Sequence, residues 1–141
     1  MGNPHAVVIV DDLAHAGDLR TPPAVTPANA YPHGVTVTFA AIRSARHLHL
    51  RVHERGVGET RACGTGACAA VAALLHVGGR GGAGDGRYTA DVPGGRLHIA
   101  VAADGAMALT GPAAIVAQGT VNLTPAGAPR PWRKATCAAG S

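Results

Sequence analysis

One segment, Thr65–Val77 (TGACAAVAALLHV), carries helical character, and its residues are almost all small or apolar. A helix with so little polar surface has no face to present to water and must be enclosed by other elements. The surrounding sequence supplies strands to do it. "HAVVIVDDL" reads as a short buried strand. "GVTVTFAAI" alternates, with Val35, Val37 and Phe39 on one face. "HLHLRVHE" alternates as well, setting Leu48, Leu50 and Val52 inward and His47, His49, Arg51 and His53 outward. Gly78 and Gly79 stop the helix, and "GGRGGAGDG" reads as a flexible loop. Beyond it, "RYTADV", "RLHIAVAA", "AMALTG" and "AIVAQGTVNL" read as further strands, with Asp104-Gly105 as a hairpin turn. The Pro- and Ala-rich residues 14–34 read as irregular connection. The expected fold is α+β: an antiparallel β-sheet wrapped around one central α-helix. The domain is expected to span residues 1–124, with 125–141 a loose tail.

The chain has 141 residues, enough for one domain with a real core. Charged residues are only 14% of the sequence and hydrophobic ones 47%, which excludes a disordered or acidic-tail composition. A net charge of +4 with scattered arginines and 3% aromatics offers no base-stacking platform, so no nucleic-acid partner is expected. No apolar run approaches the roughly 18 residues of a membrane span. The apolar part of "MGNPHAVVIV" has no basic segment before it, as a secretory signal would. Three widely spaced cysteines, Cys63, Cys68 and Cys137, do not form a disulfide framework. A reducing cytoplasm is the expected compartment.

The block "ERGVGETRACGTGACAA", residues 54–70, sets Cys63 immediately before the helix. A side chain there faces unpaired backbone N–H groups and the positive end of the helix dipole, both of which favour a thiolate. Gly64 and Gly66 leave room for a ligand near the backbone, where N–H groups could hold a carboxylate. A reactive thiolate against a small anionic substrate and a buried structural cysteine beside a glycine-rich helix start both fit these residues. Cys68 lies inside the helix and reads as core packing; C-x4-C alone does not make a zinc site. Cys137, in the tail, reads as incidental. His47, His49 and His53 have spacing that imitates a metal site. No second cluster of Cys, Asp or Glu stands at a fixed offset, so they read as solvated strand histidines and no metal is expected. His5 follows "GNP" just before a strand, where turn chemistry aims side chains into a cleft. Glu54 and Arg55 could bind the two ends of an amino-acid head, or form an ordinary surface ion pair.

"MGNPHAVVIVDDL", "YPHGVTVTF", "RVHERGVGETRACGTGACAAVAA", "VPGGRLHI" and "LTGPAAIVAQGTV" follow one another as in the C-terminal half of the diaminopimelate epimerase family. The resemblance covers residues 2–123 and is most specific in the Cys63 block. It implies one half of a two-domain fold and an isomerase of lysine biosynthesis that interconverts LL- and meso-diaminopimelate. The family works without pyridoxal phosphate or metal, so no cofactor is expected. Two cysteines, one per pseudo-symmetric domain, act as opposed base and acid at the α-carbon. Carried over by position, Cys63 resembles the second of them, and Gly64 and Thr65 resemble the residues whose N–H groups hold the α-carboxylate. Glu54 and Arg55 resemble the pair that recognises the distal amino-acid head, with Asn3 as a further ligand. His5, with Glu54, resembles the residues that support the catalytic cysteine.

Two departures qualify the resemblance. The family's "GVNV" is "GVTV" here, so Thr36 stands where an asparagine would meet the distal carboxylate. A hydroxyl is shorter and would reach that carboxylate through a water. The family's first cysteine and its N-terminal domain have no counterpart in these residues, and Met1 reads as a truncated gene start or a separated half-gene. The expected partners are therefore the small-molecule substrate and an N-terminal domain or partner chain, with a homodimer left open. The 141 residues alone are expected to be inactive. Three alternatives remain: another cofactor-independent amino-acid racemase of the same fold, a non-catalytic half-domain pairing with a partner chain, or a decayed fragment.

Overall fold

The computed structural model describes residues 3–78 and 86–120. Its elements are β1 (His5–Ile9), β2 (Thr36–Ser44), β3 (His47–Glu54), β4 (Gly58–Thr60), α1 (Gly64–Val77), β5 (Gly86–Val92), β6 (Gly95–Val101) and β7 (Met107–Thr110). They build a seven-stranded sheet in the order β1-β2-β3-β5-β6-β7, with β4 paired to β3. β2 occupies one edge of β3 along its length; β4 and β5 share the other edge at its two ends.

The α+β architecture expected from the sequence is present, and α1 packs against β1, β2, β3, β6 and β7, so the sheet curves around the helix. The sheet is mixed rather than wholly antiparallel, because β1–β2 and β3–β5 are parallel pairs. Side-chain alternation reports which face is buried and carries no information on strand direction, which depends on how the chain crosses over.

The core joins one stripe of the helix (Ala67, Ala70, Val71, Leu75) to Ala40, Leu48, Leu50, Tyr88, Leu97, Ile99 and Val101 of the sheet. Cys68 packs at its margin, as expected. Alanines at the centre of α1 let backbone approach backbone closely, and the leucines of β3 fill the remaining space. On β2 the helix-facing residues are Thr36, Thr38 and Ala40, in register with Val52 and Leu50 of β3. Val37 and Phe39 therefore face away from α1, although they are the more apolar pair.

Other expectations are corrected. "AIVAQGTVNL" forms no strand over residues 114–120, and Ile115 and Val116 are highly exposed; residues 121–123 lie outside the described residues. The expected 124/125 boundary, the tail and Cys137 lie outside them too. His53 points outward as alternation requires, yet it is 3% exposed because residues 22–25 of the long connection cover it. That connection contains two short 3₁₀ turns, Leu13–Ala16 and Ala28–Ala30. Arg51 pins it by donating to the carbonyls of Gly17 (2.8 Å) and Leu13 (3.3 Å), while Glu59 grips the same guanidinium from the other side. No helix is long and apolar enough to cross a membrane among the described residues.

Candidate active site

Cys63 is the N-cap of α1, with extended backbone dihedrals (φ −133°, ψ 108°). Its Sγ accepts a hydrogen bond from the Gly66 amide at 3.4 Å and lies 3.5 Å from Thr65 Oγ1. Thus the sulfur does the work usually done by a Ser or Asp cap. The amides of Gly64 and Thr65 open the helix, have no intrahelical acceptor, and belong to exposed residues. The chain leading into Cys63 is fixed from outside: the Gly94 amide, in the β5–β6 turn, donates to the Arg61 carbonyl at 2.7 Å. A Cβ on Gly94 would sit 2.9 Å from that oxygen, so only glycine permits the approach.

Gly66 has a different role from the one its sequence context suggested. A Cβ there would lie 3.0 Å from Thr38 Oγ1 and 3.4 Å from Cys63 Sγ. Its missing side chain lets helix pack on strand and leaves no space for a ligand.

Strand register assembles the rest. His5 is opposite Thr36 across β1–β2, and extending the β2–β3 register by one residue sets Glu54 opposite Thr36. His5, Thr36 and Glu54 thus form one row on the helix-facing side. The next row toward α1 is Val7, Thr38, Val52 and Thr60. Both nitrogens of His5, Thr38 Oγ1 and Thr60 Oγ1 are buried without a hydrogen-bond partner among the described residues. Buried polar atoms are nearly always paired, so these atoms mark a candidate site. Burial pushes the His5 imidazole below its ordinary range, and the Glu54 carboxylate partly opposes the shift.

Thr36 is fully buried and its hydroxyl is occupied: it donates to Asn3 Oδ1 at 3.3 Å and accepts from the Arg55 amide at 3.2 Å. It therefore positions Asn3 and Arg55. The Arg55 side chain passes over Gly34, where a Cβ would meet its stem at 3.2 Å and where φ is +80°, and donates to the His33 carbonyl at 3.3 Å. There it lines two neighbouring cavities of about 340 and 370 Å³, which share Tyr31 and Gly34.

The structure thus brings Asn3, Thr36, Glu54, Arg55 and His5 into one neighbourhood, and Cys63, Gly64 and Thr65 into a second, linked through Thr36 and Thr38 on the same face of β2. Cys63 lines neither Arg55 cavity and is 7% exposed. Thr38 and Thr60 escaped the sequence reading. For Thr38 the signal was present, since in "GVTVTF" Thr36 and Thr38 share a face; valine's β-propensity drew attention to the other one.

A curved mixed sheet enclosing one helix defines an α+β class of fold, and a solved structure shares it. A Bacillus anthracis phenazine biosynthesis protein of the PhzF family superposes with a TM-score of 0.50 at 23% identity, over 77% of this chain and 34% of its own. The sequence profile described as diaminopimelate epimerase matches residues 1–116, and this chain belongs to that family. It is 57% identical over 122 residues to the diaminopimelate epimerase of Streptomyces coelicolor, covering 84% of this chain and 42% of the relative. It is 49% identical to that of Neisseria meningitidis, over 84% and 41%. It is also 48% identical to the O-ureido-serine racemase of Streptomyces lavendulae, over 85% and 41%. The chain spans about two-fifths of the length of these relatives.

Proposed function

We propose that these residues are the half of a diaminopimelate epimerase that supplies Cys63 as one of two opposed proton-transfer groups acting on LL- and meso-diaminopimelate in the cytoplasm. The observation that carries the reading is Cys63 at the cap of α1, with the unpartnered Thr38 hydroxyl beside the same helix start at Gly66. The α-carboxylate would dock on the Gly64 and Thr65 amides, which also stabilise the charge that builds up when the α-proton leaves. The distal ammonium and carboxylate would meet Glu54 and Arg55, with Asn3 set by Thr36. His5 and Glu54 support the thiolate, and thiols alone move the proton.

An amino-acid α-proton is a very weak acid, and inversion requires removal on one face and return on the other. Burial pushes the Cys68 thiol up, and it lies on the helix behind Cys63, so it is no candidate for the opposite face. The second acid would come from outside the described residues, in an N-terminal domain or a partner chain. The test is solvent-deuterium uptake and inversion with both diaminopimelate isomers. The 141 residues alone should show no inversion, and adding the complementary half should restore it. Rapid inversion by these residues alone would defeat the one-thiol argument.

Thr36 favours a second reading, in which the fold racemises an amino acid with another side chain. Its hydroxyl is consumed by Asn3 and Arg55, leaving less for a distal carboxylate. A substrate panel in the reassembled enzyme separates the two readings: preference for a monocarboxylic amino acid over diaminopimelate would select the second.

A further inference from the structure

The face of the sheet opposite α1 holds a cluster that the proposed reaction does not use. Leu48 and Leu50 turn inward, so His47 and His49 both turn outward from β3. β5 runs parallel beside β3 and places Asp91 opposite His49. Asp91 Oδ2 lies 2.8 Å from His47 Nε2 and 3.1 Å from His49 Nε2, and the two rings meet edge to face with centroids 5.1 Å apart. All three side chains are about one-third exposed, which leaves them reachable and yet held in place. The sequence offered no acidic partner for these histidines because Asp91 comes from a strand beyond the helix.

We propose that His47, His49 and Asp91 form a binding site for a divalent transition-metal ion of the zinc, cobalt or nickel type. Three donor atoms already lie within 4.8 Å of one another. In a tetrahedral site with bonds of about 2.0–2.1 Å, neighbouring ligand atoms stand roughly 3.3–3.4 Å apart. The two nitrogen–oxygen separations reach that spacing with a few tenths of an ångström of expansion. Two imidazoles and one carboxylate suit zinc, cobalt or nickel, whereas calcium and magnesium prefer oxygen donors throughout.

The surroundings match a ligated state. Arg96, opposite Asp91 on β6, donates to Oδ1 at 2.6 Å and to Oδ2 at 3.0 Å. With a metal on Oδ2, Arg96 keeps Oδ1 and fixes the carboxylate, as outer partners of ligating carboxylates do. Ligation through His49 Nε2 puts the ring proton on Nδ1, so the exposed Arg43, which donates there at 3.3 Å, turns away into solvent. Three protein ligands leave one position for water. The site lies on the far side of the sheet from Cys63, and its success or failure is independent of the proposed epimerase chemistry.

The experiment is titration of the full chain with Co²⁺, read by the visible absorption of tetrahedral cobalt, and with Zn²⁺ by calorimetry. One equivalent should bind. H49Q, H47Q and D91N should each weaken binding at least about ten-fold. H98A, on β6 outside the cluster, should leave it unchanged. Circular dichroism checks each variant's fold, and if D91N fails to fold, the two glutamine variants carry the test. No stoichiometric binding, or binding that survives both H47Q and H49Q, overturns the proposal.

Discussion

The two faces of the β2–β3 ribbon treat polar atoms in opposite ways. On the outer face, Arg51 is bidentate to Glu59, and His47, His49 and Arg96 converge on Asp91. On the helix-facing side near Cys63, His5, Thr38 and Thr60 carry buried atoms with no partner. His53 is the outer exception, with an unpaired Nδ1 where the connection covers the end of β3. Leaving a buried donor or acceptor unmade costs about 1–3 kcal/mol, so a fold keeps such atoms together where something else completes them. Apart from His53, these outer groups are paired within the described residues, and the inner row leaves its own unpaired.

The sharpest way to break this contrast is to remove the sulfur. In the reassembled enzyme, Cys63→Ala should cut the deuterium exchange rate by about 10²–10⁴-fold, the usual weight of a positioned acid–base group. Because the cap also bonds the Gly66 amide, stability should fall by only about 1 kcal/mol. A variant that unfolds while the remaining folded fraction keeps full exchange would make Cys63 a structural cap.

The outer face gives the next effect. Arg96 above all, with His47, holds the Asp91 carboxyl well below the usual carboxylate range, and burial opposes them only in part. Asp91→Asn should destabilise the fold by at most about 1 kcal/mol near neutral pH, since solvent screens the pair with the largely exposed Arg96. The folded state binds its proton less readily than the unfolded chain, so this contribution is present above about pH 4 and fades as the pH falls further. Thermal melts of the two proteins should therefore converge in acid. A constant difference from pH 7 to pH 2 would show that packing, and not charge, is at work.

How much of this was legible in the sequence depends on the range of the interaction. The Cys63 cap, the stop of α1 at Gly78, the inward leucines of β3 and the turn at Asp104-Gly105 are local, and each followed from a few consecutive residues. The parallel pairing of β3 with β5, the three-residue β4, the cover over His53 and the meeting of Asp91 with His47 and His49 depend on distant segments, which periodicity does not report. The helix-facing Thr38 was missed for another reason. Apolar content usually marks the buried face, but near a site the buried face keeps polar groups that packing alone would reject.

That exception sharpens into a smaller test. Thr38→Val replaces an unpaired, fully buried hydroxyl with a methyl group of nearly the same shape. It should stabilise the fold by about 1 kcal/mol in chemical denaturation, because the penalty of the orphan oxygen disappears. The same change should raise KM in the reassembled enzyme if the hydroxyl meets substrate. Loss of stability would mean that Thr38 has a partner and that the inner row is not open.

The smallest effect comes from His5. Its imidazole prefers the neutral form in the fold, chiefly because burial disfavours the charged ring, with Glu54 pulling the other way. The unfolded chain, near 6.5, takes up the proton first as the pH falls. Stability should therefore decline from about pH 6.5 downward until the folded ring also protonates, a window that opens well above that of Asp91. His5→Gln keeps a polar side chain and removes the titration, so its melting temperature should vary less between pH 7 and pH 5. A wild-type melting temperature that rises relative to His5→Gln as the pH falls would mean that the Glu54 carboxylate, not burial, governs the ring. The inner row would then be an ion pair like those of the outer face, and the contrast between the two faces would no longer include His5.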